Sequence, residues 1–239
     1  TAKFSSSGVP GKNTKQTHGQ PLFIHNLLSA IDVELLDGVF CLTDIPDARD
    51  LVPYHGVEIL DLPPGIADAN HYDAIKYGVS EIERLRGSEC DIVVILLGNS
   101  YGLDSTDLEA AILRLITETG IDSVCSVSSF NCFNPVRAWS VIDDLLVPAL
   151  PNDQPLQKKN PTNERATLGD VHFFNGSFWV VRRNVLLANN GAPPFPWLGR
   201  AISPFHQSSR FELDHPWQIP FFETVHWCDL DSEDEGQVT

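Results

Sequence analysis

CDIVVILL, residues 90–97, is a continuous apolar run that is bounded by charged residues and by Gly98. Such a run is typical of a strand that is buried on both faces of a parallel sheet. The next segment, STDLEAAILRLITETG at 105–120, has the spacing of an amphipathic helix with a Ser or Thr N-cap and an end at Gly120. DSVCSVSSF at 122–130 then predicts another strand. Strand, helix and strand in this order predict a right-handed crossover in a parallel sheet.

The same alternation precedes this unit. The sequence predicts helices at 20–34, 45–56 and 72–87 and strands at 37–44 and 57–60. We therefore predict an α/β fold in which helices cover both faces of a mostly parallel sheet. Residues 134–170 contain several prolines and break the alternation, so they predict an inserted arm, lid or dimer contact.

Composition limits the function classes. The chain has 239 residues, 42% of them apolar, which predicts one domain over 1–228 followed by an acidic tail at 229–239. A net charge of −16 and a pI near 4.7 argue against a nucleic-acid partner or an anionic membrane surface.

Cysteine usage and the absence of a long apolar run predict a cytoplasmic protein. The five cysteines lack the paired spacing of zinc sites or disulfide frameworks, so reduced thiols are expected. No apolar run has the length of a membrane span, and no signal peptide is visible. The sequence begins at Thr1 and contains no methionine, and we expect the natural N-terminus to be missing from it.

Ligands of parallel α/β sheets bind beyond the carboxyl ends of the strands, which selects the loops 3–13, 43–47 and 98–102. The loop AKFSSSGVPGKN at 2–13 combines small residues with Lys3 and Lys12 and could cradle a phosphate chain. An ordinary surface loop is the alternative. The loop matches neither the Walker A pattern nor the GxGxxG fingerprint, which disfavours an ATPase or a nicotinamide enzyme.

FELD at 211–214 is a candidate metal site. If this segment is a strand, Glu212 and Asp214 point to the same face and can hold Mg²⁺ together with phosphate oxygens. The alternative is a solvent-facing strand edge in which Asp214 caps a helix that begins at Pro216.

FFNGSFW at 173–179 interrupts an aromatic strand with Asn175 and Gly176. This pattern predicts a bulge or a close backbone approach to a ligand, and a hairpin turn is the alternative.

Together and in this order, the motifs resemble those of the acylneuraminate cytidylyltransferases (CMP-sialic acid synthetases), which are related to the Kdo cytidylyltransferases. The motifs are KFSSSGVPGKN, GQPLFIHNLLSA, CLTDIPDA, LLGNSYG, FFNGSFW and FELDHPWQ. The resemblance implies a three-layer nucleotide-diphospho-sugar transferase-like (Rossmann-like) fold with a small inserted dimerisation region. It also implies that the first sheet strand ends at Thr1 and Ala2.

The resemblance implies a Mg²⁺-dependent reaction of CTP with a 2-keto sugar acid that gives a CMP-sugar and pyrophosphate, in a homodimer. Catalytic roles then fall on Lys3, Lys12 and Asp214, and Glu212 and Asp214 are the metal ligands. The implied nucleotide-binding residues are Ser5, Ser6, Gly8, Asn13, Thr43 and Asp44. The implied sugar-binding residues are Asn99, Ser100, Tyr101, Phe174, Asn175 and Arg165.

Several basic residues of the family pattern are replaced. Lys3 stands in place of an arginine, Ser7 in place of a lysine and Leu62 in place of an arginine, and the arginine common before Asn-Gly is missing. Arginine binds carboxylates and phosphates through two parallel hydrogen bonds, so these changes leave the sugar acid open. Lys158, Lys159 or Arg165 could supply the lost charge. A Kdo-type or other nucleotide-sugar transferase and a catalytically impaired binding homologue remain as alternatives.

Overall fold

The computed structural model describes residues 1–4, 8–52, 56–150, 163–164, 167–208 and 210–224. The predictions for Ser5, Ser6, Ser7, Lys158, Lys159, Arg165 and the tail 229–239 therefore lie outside the described residues. Within the described ranges, no helix is both long and apolar enough to cross a membrane.

Helices and strands alternate as the sequence predicts. The helices are α1 Leu22–Ile31, α2 Ala48–Leu51, α3 Pro64–Ala67, α4 His71–Arg86, α5 Ser105–Thr117, α6 Arg183–Ala188 and α7 Ile219–Thr224. The strands are β1 Val39–Thr43, β2 Val57–Asp61, β3 Ile92–Ile95, β4 Ser123–Ser129, β5 Trp139–Ile142, β6 Leu145–Pro148, β7 His172–Arg182 and β8 Ile202–His206. A short antiparallel pair, Gln16–Thr17 with Gln20–Pro21, precedes α1.

The main sheet has four strands in the order β8, β4, β7, β3. β4 and β8 are parallel, whereas β7 runs antiparallel to both β3 and β4. The prediction of a mostly parallel sheet therefore holds for the β1–β2 and β4–β8 pairs, and β7 is the exception. The apolar run that contains β3 is consequently paired with an antiparallel neighbour, contrary to the sequence prediction.

Thr1 and Ala2 lie between β1 and β3. Ala2 forms a parallel bridge with Thr43, and its amide donates to the Leu42 carbonyl at 3.1 Å. On the other side, the Gly98 amide donates to the Thr1 carbonyl at 3.0 Å. These two residues connect the parallel β1–β2 pair to the four-stranded sheet.

Alternation along β7 builds a core on each face of the sheet. Phe178 and Val180 pack with Leu108 and Ile112 of α5 on one face. Trp179 of β7 faces the other way and packs with residues of α4 and α6. Because strand side chains alternate, one strand supplies both cores, which gives the predicted three layers.

The ends of α5 differ slightly from the prediction. Asp104, not Ser105 or Thr106, is the N-cap, and its carboxylate accepts from the Thr106 amide at 2.7 Å. The helix ends at Thr117 with Glu118 as its C-cap, before Gly120. An ionised cap also interacts favourably with the positive end of the helix dipole, which explains the preference for Asp104.

The prediction of a strand at FELD is wrong. Residues 210–214 form no strand, and the last strand of the sheet is β8, which was not predicted. The Leu213 amide donates to the Asn99 carbonyl at 2.8 Å, so this segment is extended but bonded to a loop. A turn of 3-10 helix begins at Pro216 as predicted, and its N-cap is His215 and not Asp214.

Part of the predicted inserted region is a β-hairpin, β5 paired with β6. Every residue of both strands is exposed. The hairpin is a separate two-stranded sheet and pairs with no strand of the main sheet.

We expect Leu108→Ala to lower the free energy of unfolding by about 2–5 kcal/mol, because it leaves a cavity between α5 and the sheet. Leu108 is 0% exposed, whereas Leu113 on the same helix is 47% exposed. Leu113→Ala is the matched control and should change stability by no more than about 0.5 kcal/mol. Urea unfolding followed by circular dichroism measures both, and equal losses would contradict this core assignment.

Candidate active site

Two carboxylates meet two nitrogen donors from distant parts of the chain. The Lys12 Nζ lies 2.6 Å from the Asp214 Oδ1. The Asn99 Nδ2 donates to the same Oδ1 at 3.1 Å and to the Glu212 Oε2 at 3.3 Å. The loop after β3, the N-terminal loop and the segment before α7 therefore converge at one point, as the predicted motifs require.

Two glycines allow this convergence. A Cβ atom on Gly8 would collide with the backbone carbonyl of Asp214, and a Cβ on Gly176 would collide with the Glu212 side chain. Gly176 also has a φ of +78°, which favours glycine. The pairing of β7 with β4 shifts register near these residues. The predicted bulge is thus found, the close approach at Gly176 is to the Glu212 side chain, and the alternative of a hairpin turn is not found.

The environment of Glu212 disfavours its charged form. Burial, and after it the neighbouring charge of Asp214, raise the pKa of Glu212 above its ordinary value. The Asn99 amide and the Lys12 ammonium act in the opposite direction. Perturbed carboxylates of this kind are frequent at functional sites.

The carboxylates open into a cavity of about 740 Å³. Its charged side is formed by Lys3, Lys12, Asn13, Asn99, Glu212 and Asp214. Its other side is largely aromatic and is formed by His71, His172, Phe173, Phe174, Trp179 and Phe195, and Thr1 and Leu97 complete the lining. A cavity of this size with a few convergent polar groups is typical of a small-molecule site.

Lys3 and Asn13, which both line the cavity, are joined by a hydrogen bond. The Lys3 Nζ donates to the carbonyls of Ala67 and Ala69 at 2.7 and 3.0 Å. The Asn13 Nδ2 donates to the Lys3 carbonyl at 2.6 Å. The Asn13 Oδ1 is buried and accepts no hydrogen bond from the described residues.

Two predicted sugar-binding residues are buried supports and do not line the cavity. The Ser100 Oγ donates to the Gly176 carbonyl at 2.7 Å and accepts from Asn26 at 2.8 Å. The Asn175 Nδ2 donates to the Ser128 Oγ at 2.9 Å and to the Gln207 Oε1 at 3.1 Å. These buried side chains support the β7 bulge from inside the protein and not from the cavity.

Three further predicted residues also lie outside the cavity lining. Tyr101 stacks on His18 at a ring distance of 5.2 Å. Thr43 is buried, and its hydroxyl accepts from the Ile45 amide. The Asp44 carboxylate accepts from the Phe4 amide at 2.6 Å, which connects the strand end of β1 to the N-terminal loop.

The structure adds cavity residues that sequence reasoning missed. Phe173 and Trp179 lie within the FFNGSFW motif, but only the strand direction of β7 shows that they face the cavity. His71 is the first residue of α4, and burial, followed by nearby positive charges, lowers its pKa to about 4. Phe195 lies in an irregular segment without a sequence signal.

Comparison with solved structures identifies proteins that share the fold of this chain. The structure of CMP:2-keto-3-deoxy-manno-octonic acid synthetase complexed with CTP matches with a TM-score of 0.62 and 16% identity, over 99% of this chain and 96% of that chain. A 4-diphosphocytidyl-2C-methyl-D-erythritol synthase from Anaerococcus prevotii matches with a TM-score of 0.61 and 11% identity, over 92% and 93% of the two chains. The chain shares the fold of these two solved structures.

The sequence comparison agrees with this fold. A Helicobacter pylori protein described as pseudaminic acid cytidylyltransferase and UDP-2,4-diacetamido-2,4,6-trideoxy-beta-L-altropyranose hydrolase is 25% identical over 140 residues. The match covers 59% of this chain and 27% of that relative, so the chain matches about a quarter of the relative's length. No family model matches the chain. The resemblance to acylneuraminate cytidylyltransferases predicted from the motifs is confirmed.

Glu212 and Asp214 are the residues of this site that could hold a divalent cation. The described residues contain no group of three or more His, Cys, Asp or Glu side chains that could hold a metal. Mg²⁺ in nucleotide sites is commonly bound through one or two carboxylates together with phosphate oxygens and water, and a pair of carboxylates fits that donor set.

Glu212→Gln should stabilise the protein increasingly as the pH rises. Because the pKa of Glu212 is raised on folding, its contribution to stability is full below the ordinary pKa of 4.5 and is lost as the pH rises through the higher pKa of the folded protein. The glutamine variant has no such loss. Thermal unfolding between about pH 4 and 8 measures the difference. Glu34→Gln, at an exposed glutamate, is the control, and identical pH profiles for the two variants would contradict the assignment.

Proposed function

We propose that the protein is a cytidylyltransferase that transfers a cytidylyl group from CTP to a 2-keto sugar acid of the nonulosonate class. The observation that carries this proposal is the convergence of Lys12, Asn99, Glu212 and Asp214 in the lining of one cavity. These residues come from three separate motifs that resemble those of the acylneuraminate cytidylyltransferases. The named activities of the similar proteins support the same reaction class.

In this reaction the anomeric hydroxyl of the sugar acid attacks the α-phosphorus of CTP. A new oxygen–phosphorus bond forms, the bond to the β-phosphate breaks, pyrophosphate leaves and the hydroxyl loses its proton. The protein's task is therefore to position two anionic substrates and to balance their charge. Lys3 and Lys12, which line the charged side of the cavity, would contact the phosphates.

Glu212 and Asp214 would hold the Mg²⁺ ion. When bound, the ion neutralises phosphate charge and lowers the pKa of the attacking hydroxyl. Asn99 donates to both carboxylates and keeps them in one orientation. The Gly8 and Gly176 backbones hold the same segment from two sides.

The aromatic side of the cavity would receive the sugar. Phe174, Trp179 and Phe195 are in mutual contact, with ring centroids 5.4–5.9 Å apart. Aromatic rings present flat apolar surfaces on which the C–H faces of a sugar ring can pack. Phe174 keeps its predicted sugar-binding role in this proposal. A Kdo-type sugar acid or another nucleotide would give a related transferase, which substrate panels distinguish.

We also propose a homodimer and a cytoplasmic location. The exposed β5–β6 hairpin supports the dimer, because an isolated two-stranded hairpin is only marginally stable in water. Cys41, Cys90, Cys125 and Cys132 are free thiols, in keeping with a reducing compartment.

Pyrophosphate release with CTP, Mg²⁺ and a panel of 2-keto sugar acids tests the activity. Asp214→Asn should lower turnover by at least about a hundredfold, because metal binding supplies several kcal/mol of charge stabilisation. Lys12→Met should weaken CTP binding by about ten- to a hundredfold, because it removes a charged hydrogen-bond donor.

Lys15→Met is the matched control for the nucleotide measurement. Lys15 is paired with Glu223 and does not line the cavity, so its loss should leave CTP affinity unchanged. Normal CTP binding without turnover of any sugar acid would favour the binding homologue, and equal turnover with UTP, ATP or GTP would contradict a CTP-specific enzyme.

The double variant Val141→Glu/Leu145→Glu should convert the dimer to a monomer. Val141 and Leu145 lie on the paired hairpin strands and are 71% and 70% exposed, and a buried unpaired charge at an interface is strongly unfavourable. Sedimentation velocity measures the change. Leu85→Glu, at a half-exposed leucine of α4, is the control. A monomeric wild-type protein would contradict the proposed dimer.

A further inference from the structure

The ammonium group of Lys12 forms an ion pair with Asp214, one of the two carboxylates that the proposed function assigns to the metal. Its Nζ donates to the Asp214 Oδ1 at 2.6 Å, and the Asn99 Nδ2 donates to the same oxygen at 3.1 Å. Two donors therefore share one oxygen, and one of them carries a full positive charge.

The backbone on both sides of this pair is fixed. Gly8 packs directly against the Asp214 carbonyl, and the Lys12 amide donates to the Val9 carbonyl at 3.1 Å. The Asp214 amide donates to the Gln218 side chain at 2.7 Å. If Lys12 exchanges its ion-pair partner, the movement is therefore one of its side chain, which has four rotatable carbon–carbon bonds.

Among the described residues, Asp214 is the only carboxylate within ion-pair distance of Lys12, and Glu212 interacts with the ammonium group over a longer range. The Lys12 side chain is 13% exposed, so solvent replaces the lost Asp214 contact poorly. A divalent cation that bound Asp214 alone would also leave the ammonium beside a second positive charge. A triphosphate relieves both costs, because it offers oxygens to Lys12 and to the metal together.

We infer that the ion pair with Lys12 opposes metal binding to Asp214 in the nucleotide-free protein. When a triphosphate pairs with the Lys12 ammonium group instead, the Asp214 carboxylate becomes available to the metal. This inference rests on the proposed function, because it uses the same metal carboxylate and the same phosphate-binding lysine. Metal and nucleotide binding are then positively coupled through a single side chain.

Removal of Lys12 should therefore strengthen metal binding to the nucleotide-free protein. Mn²⁺ is the probe, and the amplitude of its free electron paramagnetic resonance signal reports binding without turnover or nucleotide. Lys12→Met should bind Mn²⁺ at least about tenfold more tightly than the wild type, within the usual range of coupling between sites. The double variant Lys12→Met/Asp214→Asn should lose the gain.

Lys15→Met is again the matched control, because it removes the same charge outside the cavity and should leave Mn²⁺ affinity unchanged. The same Lys12→Met protein should bind CTP more weakly, and opposite changes for the two ligands exclude misfolding as the cause. Mn²⁺ binding to Lys12→Met that equals that of Lys15→Met would overturn the inference.

Failure of the proposed function has a different signature. If the wild-type protein does not bind CTP at all, the function fails, and the inference fails with it. If CTP affinity depends on Lys12 but Mn²⁺ affinity is the same with and without Lys12, the inference fails and the proposed function stands.

Discussion

A buried chain of hydrogen bonds holds the site in place. It runs from Asn26 of α1 to the Ser100 hydroxyl and on to the Gly176 carbonyl in the bulge of β7, over 2.8 and 2.7 Å. The groups that these two bonds join are buried, so another backbone arrangement would leave them unpaired at a cost in free energy. The Asn26 Oδ1 itself accepts no hydrogen bond from the described residues. The bulge in turn sets the position of Glu212, against which Gly176 packs without a side chain. The position of the acidic pair thus depends on residues that do not line the cavity.

Most of the fold could be predicted from the sequence because its helices are amphipathic and its strands are apolar runs. Strand direction could not, because β7 has the same composition whichever way it runs and pairs with β3 and β4 through backbone groups. β8 was missed because Ile202–His206 includes Pro204, which argues against a strand that bonds on both sides. Its position at the edge of the sheet explains why proline is tolerated there.

For the site, sequence order predicted the charged side and missed much of the aromatic side. Lys12, Glu212 and Asp214 were predicted to act together on phosphate and metal, whereas Asn99 was predicted to border the sugar and in the structure donates to both carboxylates. Ser100 and Asn175 were also predicted to border the sugar, but their side chains face the interior, which only the β7 register decides. His71 and Phe195 lack any motif, and tertiary packing alone brings them to the cavity.

The pairing of Lys12 with Asp214 spans 202 positions along the chain, and that of Asn99 with Asp214 spans 115. Contacts between such distant residues cost chain entropy before they stabilise anything, and topologies rich in them fold slowly. The N-terminal loop is synthesised long before the acidic segment, so their contact forms late. The charged side of the cavity is therefore among the last parts to assemble. That side is complete only when both segments are in place, because Lys12 and Asp214 line it together and the sheet contains neither residue.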